Sequence, residues 1–262
     1  MTTMMEERKQ KEIEYYDQKA EELSRGPVSG DFEGFEPRIL ESYKFLYKLL
    51  KENCRDKLVL DYGCGNGVHS FAPINFGAKK VIAIDLSEKS LEIARERAKK
   101  EGVGDKVEFI LMDCEKMDFP AHYFDIILDG GAFSSLDLKK ALPELARVLK
   151  PEGLLIGIET FGHNPLTNFK RKLNKITGKR TAWATEHILQ TKDLRMGKNY
   201  FNKIEVKYFH LISWIIFPFL KVKGAKLLLK ILEFFDGIFL NLPFLRKYAF
   251  KIVFKFSQPK KL

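Results

Sequence analysis

Three glycines at alternate positions, Gly63, Gly65 and Gly67, follow Asp61 at the end of the apolar run Leu58-Val59-Leu60. Only glycine lets a main chain come close enough to a ligand for bare N–H groups to touch it, and a strand, glycine turn and helix in that order is the geometry that does so. The spacing is not the dinucleotide fingerprint G-x-G-x-x-G, whose third glycine packs helix on strand beside a pyrophosphate. Here Asp-x-Gly-x-Gly-x-Gly sets a carboxylate two places before the first glycine, a poor neighbour for phosphate and a good one for an amino-acid ammonium. More acids end later apolar runs: Asp85 after Val81-Ile-Ala-Ile, Asp113 after Val107–Met112, and Asp129 within Phe124–Phe133. Asp85 lies 18 residues beyond Gly67, where a carboxylate can accept hydrogen bonds from both hydroxyls of a ribose.

Those residues need a scaffold that brings strand ends together. Five β-type runs, the fifth Leu154–Glu159, alternate with helical ones, which means parallel strands joined by right-handed crossovers. Ligands in such sheets sit outside the carboxyl ends of the strands, where all four aspartates fall. Ser87 is placed to cap a helix whose buried stripe is Leu91, Ala94 and Ala98, with Gly102 as its stop. Leu138, Leu142, Leu145 and Leu149 mark another helix, kinked or begun at Pro143, and Lys150-Pro-Glu-Gly153 reads as the turn after it. Ile39, Leu40, Tyr43, Leu46, Tyr47 and Leu50 repeat as an amphipathic helix. Upstream, residues 5–24 are a polar helix with Ile13, Tyr16, Ala20 and Leu23 on one face, broken at Arg25–Gly30. Downstream, Lys203–Ile212 and Ala249–Phe256 read as strands.

Asp61-Tyr62-Gly63-Cys64-Gly65-Asn66-Gly67 resembles motif I of the class I S-adenosylmethionine-dependent methyltransferases. Phe124–Phe133 resembles their motif IV, and Glu144–Gly153 is close to their post-motif signature. The resemblance spans roughly Tyr15–Glu159 and implies a Rossmann-like α/β fold: a seven-stranded, mostly parallel sheet, helices on both faces, and an antiparallel C-terminal strand pair. It implies S-adenosylmethionine as cofactor, with Asp61 and the Gly63–Gly67 backbone, Cys64 and Asn66 included, around the methionine moiety. Asp85 with Leu86 would meet the ribose, Asp113 with Cys114 the adenine, and Asp129 with Gly130 the floor beneath the methyl group. Residues 1–38 would form a lid or leader whose Tyr16 reaches the cofactor, residues 39–212 with 247–262 the catalytic domain, and 213–246 a helical insertion. The loop-rich, basic stretch Phe161–Leu194 would roof the acceptor pocket.

The class of acceptor is narrowed by what is missing. Asp129-Gly-Gly-Ala-Phe133 lacks the two prolines of amino-methylating DNA and glutamine enzymes, and no cysteine follows strand four or five as in RNA cytosine enzymes. What remains resembles the small-molecule branch, including the ubiquinone and menaquinone biosynthesis methyltransferases. Candidate bases are His163 and His187, with Glu159 a third. The three cysteines have no metal-ligand spacing, so neither a metal site nor a disulfide framework is expected, and a reducing cytoplasm is. The densely charged N-terminus shows no apolar signal segment.

The net charge of +10 is uneven: from Lys207 onward eleven Lys/Arg face two acids, with 13 of the 33 aromatic residues in the same stretch. Its longest apolar run, Leu211–Leu220, has ten residues with Pro218 inside, too short for the about 20 needed to span a bilayer. Leu227–Leu245 is broken by Lys230, Glu233, Asp236 and Asn241, and Lys226, Lys230, Glu233 and Asp236/Gly237 fall on one helical face opposite a wide apolar side. That side either packs on the core or a second subunit, giving a homodimer, or docks on the anionic inner face of a membrane, with Trp214, Phe217 and Phe219 as wedges. Nucleic acid is the poorer partner, because the aromatics sit in apolar runs instead of alternating with polar groups. The reading is methyl transfer to O, N or C of a small, apolar or lipid-linked acceptor at a membrane surface. The alternatives are an RNA or protein methyltransferase docking through the basic region, and a non-catalytic cofactor-binding subunit.

Overall fold

The structure is a computed structural model that describes residues 2–24, 39–176 and 180–260, so the expected break at Arg25–Gly30 lies outside the described residues, as does the side chain of Leu23. Five parallel strands, β1 (Leu58–Tyr62), β2 (Lys80–Asp85), β3 (Val107–Leu111), β4 (Phe124–Asp129) and β5 (Leu149–Thr160), are followed by β6 (Phe201–Phe209) and β7 (Lys251–Pro259). They form one seven-stranded sheet in the order β3-β2-β1-β4-β5-β7-β6, with β7 antiparallel to both neighbours. Strands β1, β2 and β4 are buried on both faces, which is why they are near-continuous apolar runs rather than alternating ones, whereas the edge strand β3 is partly exposed. In β1, Val59 joins the core on one face and Leu60 the core on the other. The chain winds outward from β1 through β2 to β3, then returns to place β4 on the other side of β1. That reversal opens a crevice above the ends of β1 and β4.

The helices are α1 (Thr2–Ser24), α2 (Glu41–Asn53), α3 (Phe71–Asn75), α4 (Glu88–Lys100), α5 (Leu138–Val148), α6 (Pro165–Ile176), α7 (Ala182–Glu186), α8 (Thr191–Gly197), α9 (Ala225–Phe239) and α10 (Pro243–Arg246). Tyr43, Leu46 and Leu50 of α2 are buried against one face of the sheet, and Leu138, Leu142 and Leu145 of α5 against the other. The α4 cap forms as expected: the Ser90 N–H donates to Ser87 Oγ at 3.0 Å, with Leu91, Ala94 and Ala98 buried. Several boundaries differ from expectation: β6 is Phe201–Phe209 instead of Lys203–Ile212, and β7 is Lys251–Pro259 instead of Ala249–Phe256. Leu149 opens β5 instead of closing α5, and Lys150–Gly153 is a bulge in that strand, since Phe124 pairs with Leu149 and Ile126 next with Leu154. The helix after the glycine turn is only α3, one short turn containing Pro73.

Gly157 of β5 faces Phe254 of β7 so closely that an added Cβ would lie 2.3 Å from the ring. Phe254 is fully buried and cannot move aside. Gly157→Val is therefore expected to destabilise the fold by about 1–3 kcal/mol or more, read from the midpoint of urea unfolding at unchanged slope.

Candidate functional site

The register levels the strand ends: Tyr62 pairs with Ile84 and with Asp129, and Asp129 with Gly157. Asp61, Asp85, Asp129 and Glu159 are thereby collected at one edge of the sheet. The three glycines of the turn all adopt positive φ (65°, 51° and 77°), yet each does something different. A Cβ on Gly63 would meet the Ala132 Cβ at 2.6 Å, so Gly63 permits contact with the loop after β4. On Gly67 it would meet the Ala94 Cβ at 3.0 Å, so Gly67 permits packing on α4. On Gly65 it would meet nothing within 4 Å. Gly65 thus borders open space.

Asp85 fastens this turn to β2, its Oδ2 accepting the Gly65 N–H at 2.8 Å and its Oδ1 the Ser87 N–H at 2.9 Å. Burial still raises its pKa, although the N–H donors oppose the rise. Asp61 is fully buried, with only Ser70 Oγ donating to it, at 2.5 Å, and burial, with the charge of Asp85 added, pushes its pKa up to about 7. Asp129 accepts from the N–H groups of Ala132 and Gly131 through Oδ1, whereas its buried Oδ2 has no hydrogen-bond partner. Burial and the charge of Glu159 push Asp129 well up. Burial likewise lifts Glu159, whose Oε1 accepts the Phe133 N–H at 2.6 Å, to about 7. Such a set of poorly compensated carboxyls favours a cationic ligand and disfavours a phosphate.

The flanking residues differ in their surroundings. Cys64, with its N–H bonded to Ile84 O, and Leu86 are half-buried beside the turn. Asn66 is drawn toward α4, its carbonyl and Oδ1 taking an Arg97 N–H at 3.2 and 3.3 Å. Burial pushes the Cys64 and Cys114 thiols well up, so neither supplies a thiolate at neutral pH. Gly130 lies on the buried His69 ring, where an added Cβ would sit 2.8 Å from Cδ2. His69 bonds the Tyr47 hydroxyl through Nδ1 at 3.0 Å, and burial lowers its pKa to about 4.

Helix α1 crosses the ends of β2 and β3 as a cover. Lys9 pairs with Asp113 at 2.5 Å and Glu115 at 3.0 Å, Arg8 pairs with Glu115 at 2.5 Å, and Ser87 Oγ donates to Asp17 at 2.6 Å. Tyr16 reaches the loop after β4, its hydroxyl 3.3 Å from Ser135 Oγ. Of the apolar face expected for this helix, Ala20 is buried, but Arg8 and Glu12 are the other buried residues among the described side chains and Tyr16 is 37% exposed. The surface under α1 is acidic, and it selects cations where periodicity marks apolar residues. The Arg8–Lys9–Glu115 cluster was not legible in the sequence; its sole trace is the i, i+4 spacing of Arg8, Glu12 and Tyr16, which reads equally as a solvated face.

The two candidate histidines lie beyond the strand-end cluster. His163 accepts the Thr191 N–H through Nε2 at 3.1 Å and packs edge-on against Phe161, and burial lowers its pKa. His187 is exposed, stacked on Trp183 at 3.6 Å, with Nδ1 2.9 Å from the Trp183 carbonyl. Elsewhere, a cavity of about 320 Å³ between β6 and α9 is lined by His210, Glu233, Asp236 and Arg246, among others, and by none of the strand-end carboxylates. Among the described residues no group of His, Cys, Asp and Glu is arranged to hold a metal ion.

Comparison with known proteins agrees with this geometry. A family described as "Methyltransferase domain" matches residues 59–153. The chain is 30% identical over 101 residues to a ribosomal protein L11 methyltransferase of Pasteurella multocida, covering 38% of this chain and 33% of that one. It is 34% identical over 104 residues to a ubiquinone/menaquinone biosynthesis C-methyltransferase of Ectopseudomonas mendocina, covering 38% and 41%. The chain thus spans about a third to two-fifths of the length of these curated relatives. A solved geranyl diphosphate C-methyltransferase from Streptomyces coelicolor, in complex with S-adenosyl-L-homocysteine, shares the fold with a TM-score of 0.56 at 15% identity, over 82% of this chain and 79% of that one. Residues 59–153 thus match a methyltransferase domain, set in a sheet whose antiparallel seventh strand and overall fold are similar to those of solved methyltransferases.

Proposed function

We propose that the chain transfers a methyl group from S-adenosylmethionine to O, N or C of a small, apolar or lipid-linked acceptor met at a membrane surface. The observation that carries the cofactor half is Gly65, whose N–H is held by Asp85 and whose missing side chain opens onto space beside buried, under-compensated acids. Asp61 and the turn would hold the amino-acid end, Asp85 and Leu86 the ribose, Asp113 and Cys114 the adenine side, and Asp129 with Gly130 the base of the methyl site. When bound, the cofactor supplies a methyl group on a positively charged sulfur, which an acceptor lone pair takes as the sulfur leaves as a neutral thioether. The protein's part is to position the acceptor and exclude water. Helix α1, pinned by Arg8 and Lys9, does the second by covering the strand ends.

Where the acceptor must shed a proton, Glu159, His163 and His187 are the proposed bases. Glu159 is favoured: it stands beside Asp129 in the cluster, and its pKa near 7 suits a group that takes up and returns a proton at neutral pH. The acceptor half is supported by the basic, aromatic C-terminal region and by the quinone-pathway relative. The ribosomal-protein relative favours a protein acceptor instead. Titration calorimetry with S-adenosylmethionine, then incubation of host extract with methyl-labelled cofactor, separates these readings. We expect saturable binding and label in the organic-extractable fraction. Label in protein or RNA would overturn the acceptor class, and binding without any transfer would leave a cofactor-binding subunit.

A further inference from the structure

Helix α9 is set into the protein by the side that carries its two acids, while Lys226 and Lys230 stay exposed. Leu229, Glu233, Asp236 and Leu240, spaced four, three and four apart, face the protein and are buried. The Asp236 carboxylate accepts the Ile212 N–H at 2.8 Å and the Ser213 N–H at 3.1 Å, and Glu233 Oε1 accepts the Glu41 N–H, the first of α2, at 2.9 Å. These N–H groups have no partner within their own elements, so the two acids hold α9 by satisfying them. The opposite side is apolar and open: Leu227 and Phe234 are each 66% exposed and Ile238 49%. Phe219 and Phe244 extend the patch at 54% and 64%. Phe169 of α6 is exposed too, and Asn164 at the head of α6 ties it to this region by donating to Tyr248 O at 3.0 Å. Phe217, expected as a wedge, is buried against Phe250, and Trp214 is half-buried there.

Charge selects the occupant. Lys221, Lys223, Lys226, Lys230, Arg246 and Lys247 are all exposed, while both acids of residues 211–250 are buried under α9. A second copy of the chain would set this cationic rim against its own image, and a nucleic acid would leave the Phe and Leu side chains without an apolar partner. An anionic bilayer satisfies both, acyl chains taking the aromatics and headgroups the lysines. No described helix is long and apolar enough to cross the bilayer, so this is docking at the surface. The insertion leaves the sheet after Phe209 and returns at Lys251, which pairs with both Phe209 and Thr160, so it stands at the same edge as Asp129 and Glu159.

We propose that the outward face of α9, with Phe219 and Phe244 beside it, docks on an anionic bilayer and turns the carboxyl edge of the sheet toward the lipid. The proposal deepens, and rests on, the reading of an acceptor met at a membrane. The test is flotation of the intact chain with phosphatidylcholine vesicles, with and without phosphatidylglycerol, at low and high salt, alongside calorimetry with S-adenosylmethionine and light scattering. We expect flotation that requires phosphatidylglycerol and falls in high salt. Phe234→Glu with Ile238→Glu is expected to lower partitioning at least about ten-fold while leaving cofactor affinity and circular dichroism unchanged. Absence of vesicle binding by the wild type, equal binding by the variant, or a dimer dispersed by the variant overturns the proposal. Vesicle binding without cofactor binding would instead overturn the methyltransferase reading and leave the docking face standing.

Discussion

Gly65→Arg is expected to lower S-adenosylmethionine affinity by at least about a hundred-fold, roughly 3 kcal/mol, while the protein stays folded. The separation follows from the three glycines. At Gly63 and Gly67 a side chain would press on Ala132 and Ala94, so substitutions there damage packing before they damage binding. At Gly65 no atom stands within 4 Å of the added Cβ, so the long side chain is free to enter the space proposed for the ligand. The φ of 51° at this position adds a strain of about 1 kcal/mol for a residue with a Cβ. The guanidinium would also compete for Asp61 and Asp85, the charges proposed to draw a cationic ligand. Calorimetry for affinity and thermal unfolding for stability read the two effects independently. Equal losses from Gly65→Arg and Gly67→Arg in both measurements would remove the distinction drawn here between a ligand glycine and a packing glycine.

Asp61→Asn is expected to move stability and binding in opposite directions. The wild-type carboxyl has a folded-state pKa of about 7, against an ordinary value of 3.8, because burial disfavours its charge and the single Ser70 hydrogen bond does not offset that. A carboxyl raised by folding binds its proton more tightly in the native state, so stability falls as pH rises from about 4 to about 7 and is level above. Asparagine cannot ionise and keeps an oxygen for Ser70, so the variant escapes this loss. At pH 8 it is expected to be more stable than wild type by about 4 kcal/mol, and near pH 4 no more stable. Cofactor affinity should fall at the same time, since the amide has no charge to offer an ammonium. Urea titrations at the two pH values and calorimetry at pH 8 give the answer. A variant less stable at pH 8 would mean that the Asp61 charge is compensated in the fold. The buried His69, held neutral with a pKa of about 4, acts in the opposite sense below about pH 6.5, so the comparison belongs between proteins at each pH rather than within one curve.

The sequence by itself determined the elements whose signals are local. Asp61, Gly63, Gly65 and Gly67 sit within seven residues of one another, and their strand and turn are written in that spacing. Ser87 caps α4 because its partner, Ser90, is three residues away. The apolar runs ending in Asp85 and Asp129 are long enough to be buried strands and nothing else, and once they are parallel, topology alone lines up their ends. Tertiary structure decided which way the amphipathic helices turn. Periodicity shows that α9 has an apolar side and a polar side; it cannot show that Glu233 and Asp236 turn inward while Lys226 and Lys230 stay in solvent. That was settled by three N–H groups, of Glu41, Ile212 and Ser213, the first 192 residues away from the Glu233 it binds. Helix α1 is the same case, with Arg8 and Lys9 drawn inward by Asp113 and Glu115 more than a hundred positions along the chain. A buried polar group left without a partner costs more than an exposed apolar side chain, so the distant partners, not the local pattern, fixed the orientation of both helices.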